Sequence, residues 1–218
     1  MRSMGRMFIV LLCAVQMLAT ACRLAPPQTP LALAASTGDA SRAASLLDAG
    51  ADPDEREQHG LTPLQLAARG GHLEAARMLL ARGASLDLAD AHRNGWTPLM
   101  HAIHKAQPGF AAMLIAAGAD VNARAWNGTT ALMMAAGEGD LESVRRLLAA
   151  GADPRAQNLD HVSALTNAVA CGNTEIVRLL LQSDPDLTLG GTMEDTVALW
   201  LARLRGRGEI ITMLRRER

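Results

Sequence analysis

The sequence predicts an all-α solenoid, because one pattern of apolar residues returns about every 33 residues. In each unit a leucine stands three residues ahead of an alanine, and the six leucines are Leu31, Leu64, Leu99, Leu132, Leu165 and Leu199. The steps between them are 33, 35, 33, 33 and 34 residues. A second leucine recurs later in each unit, at Leu46, Leu79, Leu114, Leu147, Leu180 and Leu214. A fixed period of this length is typical of stacked repeats, each too small to bury its apolar face alone.

The composition fits such a stack and argues against a nucleic-acid partner. Of the 218 residues, 49% are hydrophobic but only 2% are aromatic, so leucine, alanine, valine, isoleucine and methionine must fill the core. The formal net charge is −1, and basic residues are interleaved with acidic ones along the chain. A protein that binds a phosphate backbone needs a basic face, which this pattern does not provide.

Residues 1–21 are predicted to be a secretory signal peptide. Arg2 and Arg6 precede an apolar run over residues 7–19, which is too short to cross a bilayer as a stable helix. The small residues Ala19-Thr20-Ala21 then form a cleavage site. The alternative is an uncleaved membrane anchor.

The residue after this site is a cysteine. Leu18–Cys22 resembles the lipobox of bacterial lipoproteins, although Ala19 stands where leucine is more usual. The resemblance implies a diacylglyceryl thioether on Cys22 and, because Arg23 follows, an outer-membrane location. The alternative is cleavage at the same site to give a soluble periplasmic protein. Residues 22–28 then form a linker of at most about 25 Å ahead of a repeat domain over residues 29–218.

The second unit shows how each repeat is expected to fold. Thr62 can cap a helix with its hydroxyl, and Pro63 suits the first helical position, where an N–H would be unpaired anyway. Gly71 ends this helix, where a positive φ is needed, and a second helix follows from Leu73. Asn94-Gly95, in the next connection, favours a tight hairpin turn.

The segment Thr62–Glu74 resembles the ankyrin repeat, whose pattern runs T-P-L-H-x-A-A-x-x-G-H, and Gly118–Asn122 matches the G-A-D-V-N that ends such a unit. The resemblance covers residues 29–218. It implies an all-α ankyrin-repeat solenoid of about six helix-turn-helix units joined by β-hairpin fingers. Helices are expected over residues 30–37, 40–49, 63–70, 73–82, 98–105, 108–117, 131–138, 141–150, 164–171, 174–183, 198–205 and 209–216.

Departures from this pattern carry expectations of their own. The pattern's histidine is absent, so its hydrogen bonds between neighbouring units should be lost; the residues in its place are Ala32, Gln65, Met100 and Met133. Ala106 replaces the glycine that ends the first helix of the third unit, and the last unit lacks Thr-Pro. The connection from Asp87 to Trp96 is two residues longer than its counterparts, which makes it either a binding loop or a neutral insertion.

In ankyrin proteins the fingers and the exposed ends of the first helices bind protein partners, and the resemblance carries this role to a stripe of this chain. The candidate residues are His59, Leu61, Arg69, Arg93, Asn94, Trp96, His104, Lys105, Trp126, Asn127, Thr129, Glu138, Leu159 and Asp160, followed by Val162 and Cys171. Trp96 and Trp126 carry most weight, because tryptophan is favoured as an interface anchor. The alternative is that each ring covers its neighbour's hairpin. Trp200 is expected in the core.

No catalytic motif is present, so we expect no catalytic residues, no metal and no cofactor. The predicted function is non-catalytic binding of a protein partner by an exported monomer in the periplasm or at the outer membrane, tethered only through Cys22. One alternative is an immunity or inhibitor protein that blocks an enzyme or toxin. Another is a metal-dependent module in which His92, His101 and His104 bind zinc, with a packed, purely structural His101 as the competing interpretation.

Overall fold

A computed structural model describes residues 29–91, 94–184, 186–187, 189 and 193–216. These residues form twelve α-helices and contain no β-strand. The helices are α1 (Pro30–Thr37), α2 (Ala40–Asp48), α3 (Pro63–Gly70), α4 (Leu73–Ala81), α5 (Pro98–His104), α6 (Pro108–Ala116), α7 (Ala131–Glu138), α8 (Leu141–Ala149), α9 (Ala164–Cys171), α10 (Thr174–Ser183), α11 (Met193–Leu204) and α12 (Gly208–Arg216). The predicted signal peptide (1–21), Cys22, the linker (22–28), His92 and Arg93 lie outside the described residues.

Eleven of the twelve helices lie within one residue of their predicted bounds, and α11 does not. It begins at Met193, where the sequence predicted a start at residue 198. A proline in the first turn marks the start of α1, α3 and α5. Val197 stands where the other first helices have a capping threonine or serine, and no proline lies between residues 193 and 204, so nothing there prevents the helix from starting earlier.

Hydroxyl side chains cap the first helix of each of the first five pairs. In each case the oxygen accepts the N–H three residues ahead, which satisfies one of the unpaired donors of the first turn. The caps are Thr29, Thr62, Thr97, Thr130 and Ser163. The capping hydroxyl is thus common to all five helix starts, and Thr-Pro-Leu marks the first three of them.

The leucines that recur in each unit form the core of the stack. Each first helix packs on the first helix of the next pair, and the buried residues of all the described pairs form one continuous hydrophobic cluster. The first-series leucines are at most 1% exposed in the first five pairs, and those residues are Leu31, Leu64, Leu99, Leu132 and Leu165. Leu46 and Leu214, which belong to the first and last described pairs, are only partly buried, and among the described residues each of these pairs has a neighbouring pair on one side alone.

Gln65 corrects one expectation, since hydrogen bonds between neighbouring units are not lost where it replaces the pattern's histidine. Its Nε2 donates to the carbonyls of Leu88 (2.6 Å) and Trp96 (3.1 Å) in the following unit. Its Oε1 accepts the N–H of Thr62 at 2.8 Å and completes a reciprocal capping box. One amide thus holds the start of α3 and ties it to the next unit.

The connections between pairs are here called the first (49–62), second (82–97), third (117–130) and fourth (150–163) fingers. The predicted β-hairpins are not confirmed, since the third and fourth fingers each contain a single antiparallel bridge in place of a ladder. Consecutive fingers are joined by backbone hydrogen bonds. These run from Ala91 N–H to the Gly60 carbonyl (3.1 Å), from Trp126 N–H to that of Asn94 (2.9 Å), and from Leu159 N–H to that of Asn127 (2.8 Å). The fingers therefore stack in the same order as the helices.

Within the described part of the chain, no helix is both long enough and apolar enough to cross a bilayer.

Candidate functional site

Three adjoining depressions lie along the fingers and the ends of the first helices, and together they are called the finger groove. The first (about 340 Å³) is lined by Glu57, His59, Leu61, Arg69 and Lys105, among others. The second (about 160 Å³) shares Arg69 and Lys105 with the first and adds Asn94, Trp96, His101 and His104. The third (about 220 Å³) shares Asn94 and Trp96 with the second and adds Trp126, Asn127 and Thr129. The groove therefore brings together most of the predicted partner-binding residues.

Trp96 lies at the junction of the second and third depressions. Its ring packs edge-on against His101, with the ring centroids 5.4 Å apart, and against His104 at 4.9 Å. The side chain is half-buried, so one part of it supports α5 while another part remains open to the groove. The two ring contacts of Trp96 are thus with α5 and not with a neighbouring hairpin, and the side chain also lines the groove.

Asp90 organises the second finger, although no sequence pattern above indicated it. Its carboxylate accepts the N–H groups of Asn94 (3.1 Å), Gly95 (3.3 Å) and Trp96 (3.1 Å). The Asp90 N–H donates in turn to the Trp96 carbonyl at 2.9 Å. Asp90 is only 2% exposed, so its charge is balanced by these donors within the loop. The signal available in the sequence was an acidic residue just ahead of the Asn-Gly turn, whose N–H groups need an acceptor.

His101 is the fourth partner of Asp90. Its Nε2 lies 3.2 Å from Asp90 Oδ2 and donates to it as the neutral tautomer. Burial lowers the pKa of His101 to about 4, and the nearby charge of Arg69 acts in the same direction, while Asp90 opposes the shift. This geometry is that of a packed, structural histidine.

The lowered pKa of His101 makes the stability of the fold depend on pH. An unfolded chain binds this proton near pH 6.5, but the folded chain binds it only near pH 4. Between these values the unfolded state therefore holds more protons, and stability falls as the pH decreases through that window. Above pH 6.5 His101 is neutral in both the folded and the unfolded chain, so it no longer lowers the unfolding free energy.

The zinc alternative has no support in the described residues. His101 Nε2 is occupied by Asp90, and His104 Nδ1 lies 3.5 Å from Glu138 Oε1. No group of three histidine, cysteine, aspartate or glutamate side chains suited to a metal ion occurs in the part of the chain that the structure describes. His92, the third proposed ligand, lies outside that part.

Trp126 and Leu159 are exposed apolar side chains on the tips of adjacent fingers. They are 60% and 74% exposed, although the backbone of each is fixed to the preceding finger. The Trp126 indole lies against Gly95, where a Cβ would come within 2.4 Å of Trp126 Cδ1. Gly95 also has a φ of 70°. Glycine is therefore required there for two reasons, namely the left-handed backbone of the turn and the space that the Trp126 ring occupies.

The remaining candidates differ in how accessible they are. Leu61 is only 2% exposed, so it forms part of the floor of the first depression, whereas His59, Asp160 and Cys171 are exposed. Arg93 lies outside the described residues. Trp200 corrects the expectation of a core position. It is 58% exposed on α11, and Val197 and Leu204 on the same helix are also exposed.

Comparison with known protein families gives one match. The model described as Ankyrin repeats (3 copies) matches residues 10–90, 31–125, 88–158, 114–190 and 132–217, which overlap to cover most of the chain. No curated protein matches the chain.

Proposed function

The chain belongs to the ankyrin-repeat family, and on that premise we propose that it is a non-catalytic module that binds a protein partner through the finger groove. Ankyrin repeats form protein–protein interaction modules, and the family is generally non-catalytic. The observation that carries the proposal is the placing of Trp96 and Trp126 along one groove, on fingers whose backbones are hydrogen-bonded together.

The chemistry of this groove is that of an interface. Tryptophan and arginine are the residues most enriched among energetic hot spots, because each buries a large surface and also offers polar contacts. Here Arg69 and two tryptophans line adjoining depressions, with the amides of Asn94 and Asn127 between the rings. A flat apolar patch would bind less selectively than this mixture of rings, amides and charge.

A pair of tryptophan variants tests the proposal. Trp126 and Trp200 are almost equally exposed, at 60% and 58%, but only Trp126 lines the finger groove among the depressions described above. We expect Trp126→Ala to lose at least nine-tenths of the protein captured from an envelope extract by the tagged full chain. Trp200→Ala is the matched control and should retain it. Equal retention by both variants would contradict binding through the groove.

We further propose that the protein is exported, carries a lipid on Cys22 and acts in the periplasm or at the outer membrane. The support is the sequence of residues 1–22, with its basic start, short apolar run and lipobox-like end. Mass spectrometry of the mature N-terminus decides the matter. An acylated Cys22 is the expected result, and a mature N-terminus without the acyl mass would exclude the anchor.

A further inference from the structure

The first depression of the finger groove carries two cationic side chains without a carboxylate partner. Arg69 lies in the last turn of α3 and Lys105 at the end of α5, and both line this depression. Neither makes an ion pair with any described residue. Two positive charges in one concave site attract an anion, since the walls restrict solvent screening.

Glu57 contributes to the wall of the same depression but offers no acceptor to a ligand. The side chain is only 4% exposed, and its Oε1 accepts the N–H of Leu61 at 3.2 Å. The other oxygen, Oε2, is fully buried and has no hydrogen-bond partner among the described residues. The groups that a bound partner can reach are therefore the two cations.

We infer that the first depression holds an acidic side chain from a linear segment of the protein partner. The carboxylate of a partner aspartate or glutamate pairs with Arg69 and Lys105. This inference rests on the proposed function and specifies the chemistry of the partner.

An acidic side chain complements the two cations of this depression. A basic side chain would be repelled by both Arg69 and Lys105. A carboxylate accepts charge-assisted hydrogen bonds from both cations.

The groove indicates that the acidic residue is internal to the segment. Arg69 and Lys105 also line the second depression, and that depression shares Asn94 and Trp96 with the third. A chain that places its acid between the two cations therefore continues past Trp96 toward Trp126. We expect an apolar residue of the segment to contact these rings, within a few positions of the acid.

Selection from a displayed library of random twelve-residue peptides tests this inference on the purified full chain. We expect the selected peptides to be enriched in aspartate and glutamate. Replacing the acid by its amide in a selected peptide should weaken binding at least tenfold, measured by fluorescence anisotropy. The variant Arg69→Gln/Lys105→Gln should lose a similar factor.

The control variant is Arg42→Gln/Arg145→Gln. It removes two exposed charges from the second helices α2 and α8, so it has the same net charge as the groove variant. Unchanged peptide binding by this control and unchanged melting temperatures for all variants are required. Selection of basic or uncharged peptides, or of none above background, would overturn the inference. The proposed function would survive that result if Trp126→Ala still abolished capture of the protein partner.

Discussion

Replacing Ala106 by glycine should stabilise the protein, although it removes a methyl group. Ala106 has a φ of 51°, in the left-handed region, and follows the end of α5. The next residue, Gln107, donates its N–H to the Ala102 carbonyl five residues earlier, at 2.9 Å. This bond is typical of helix ends that need a left-handed residue, usually glycine.

The expected gain follows from two opposing terms. An L-residue in the left-handed region costs about 1–2 kcal/mol, which Ala106→Gly removes. Glycine in turn adds about 0.5–1 kcal/mol of unfolded-state entropy that folding must overcome. The net stabilisation is therefore about 0.5–1 kcal/mol, which corresponds to a rise in melting temperature of about 1–4 °C for a repeat domain of this size.

Gly139→Ala is the matched control for this prediction. Gly139 follows α7 with a φ of 79°, and Asp140 N–H donates to the Ala135 carbonyl just as Gln107 does to that of Ala102. A Cβ there would meet only Asn173, at 3.4 Å, which is ordinary contact. The substitution therefore tests the backbone term without a clash, and it should destabilise by about 1 kcal/mol.

Urea unfolding followed by circular dichroism measures the change in stability of each variant. A lower midpoint for Ala106→Gly than for the parent, with the expected loss for Gly139→Ala, would refute the reasoning about the α5 end.

Three more predictions concern the second finger and its neighbours. In His101→Gln the amide still offers Asp90 a donor but does not titrate. The unfolding free energy of this variant should therefore fall less than that of the parent between pH 6.5 and pH 4, by up to about 3 kcal/mol. Urea titrations at several pH values measure this, and equal pH profiles for variant and parent would exclude the lowered pKa. Asp90→Ala should cost about 3 kcal/mol or more, because it leaves buried donors unpaired, whereas the exposed control Asp160→Ala should change stability by no more than about 0.5 kcal/mol. Gln65→Met should cost about 2 kcal/mol in the same assay; a smaller loss than for Asp160→Ala would show that its two carbonyl contacts contribute nothing.

The sequence predicted those features that local patterns encode. The capping-hydroxyl signature, which a proline follows in three of the first five pairs, placed the first helices because its residues act within three positions of the helix start. The start of α11 was missed for the same reason, since the last unit carries no such signature. The two tryptophans of the groove were found because rare aromatic residues on successive fingers are visible in the sequence itself.

The polar organisation of the groove could not be predicted in this way. Gln65 reaches carbonyls 23 and 31 residues along the chain, and such bonds leave no local pattern. Glu57 and Asp90 resemble ordinary loop acids in the sequence, and only the fold shows that both are buried. Trp200 was misplaced because the helical pattern of α11 does not show which of its faces lacks a neighbour.

The backbone links between consecutive fingers have a consequence for the speed and selectivity of association. The second, third and fourth fingers are each hydrogen-bonded to the finger before them, through the carbonyls of Gly60, Asn94 and Asn127. The distances between anchoring points are therefore set during folding, and little freedom remains to be lost when a partner arrives. A ligand whose contact residues are spaced differently does not fit these fixed finger positions, so selectivity arises from the spacing of the fingers.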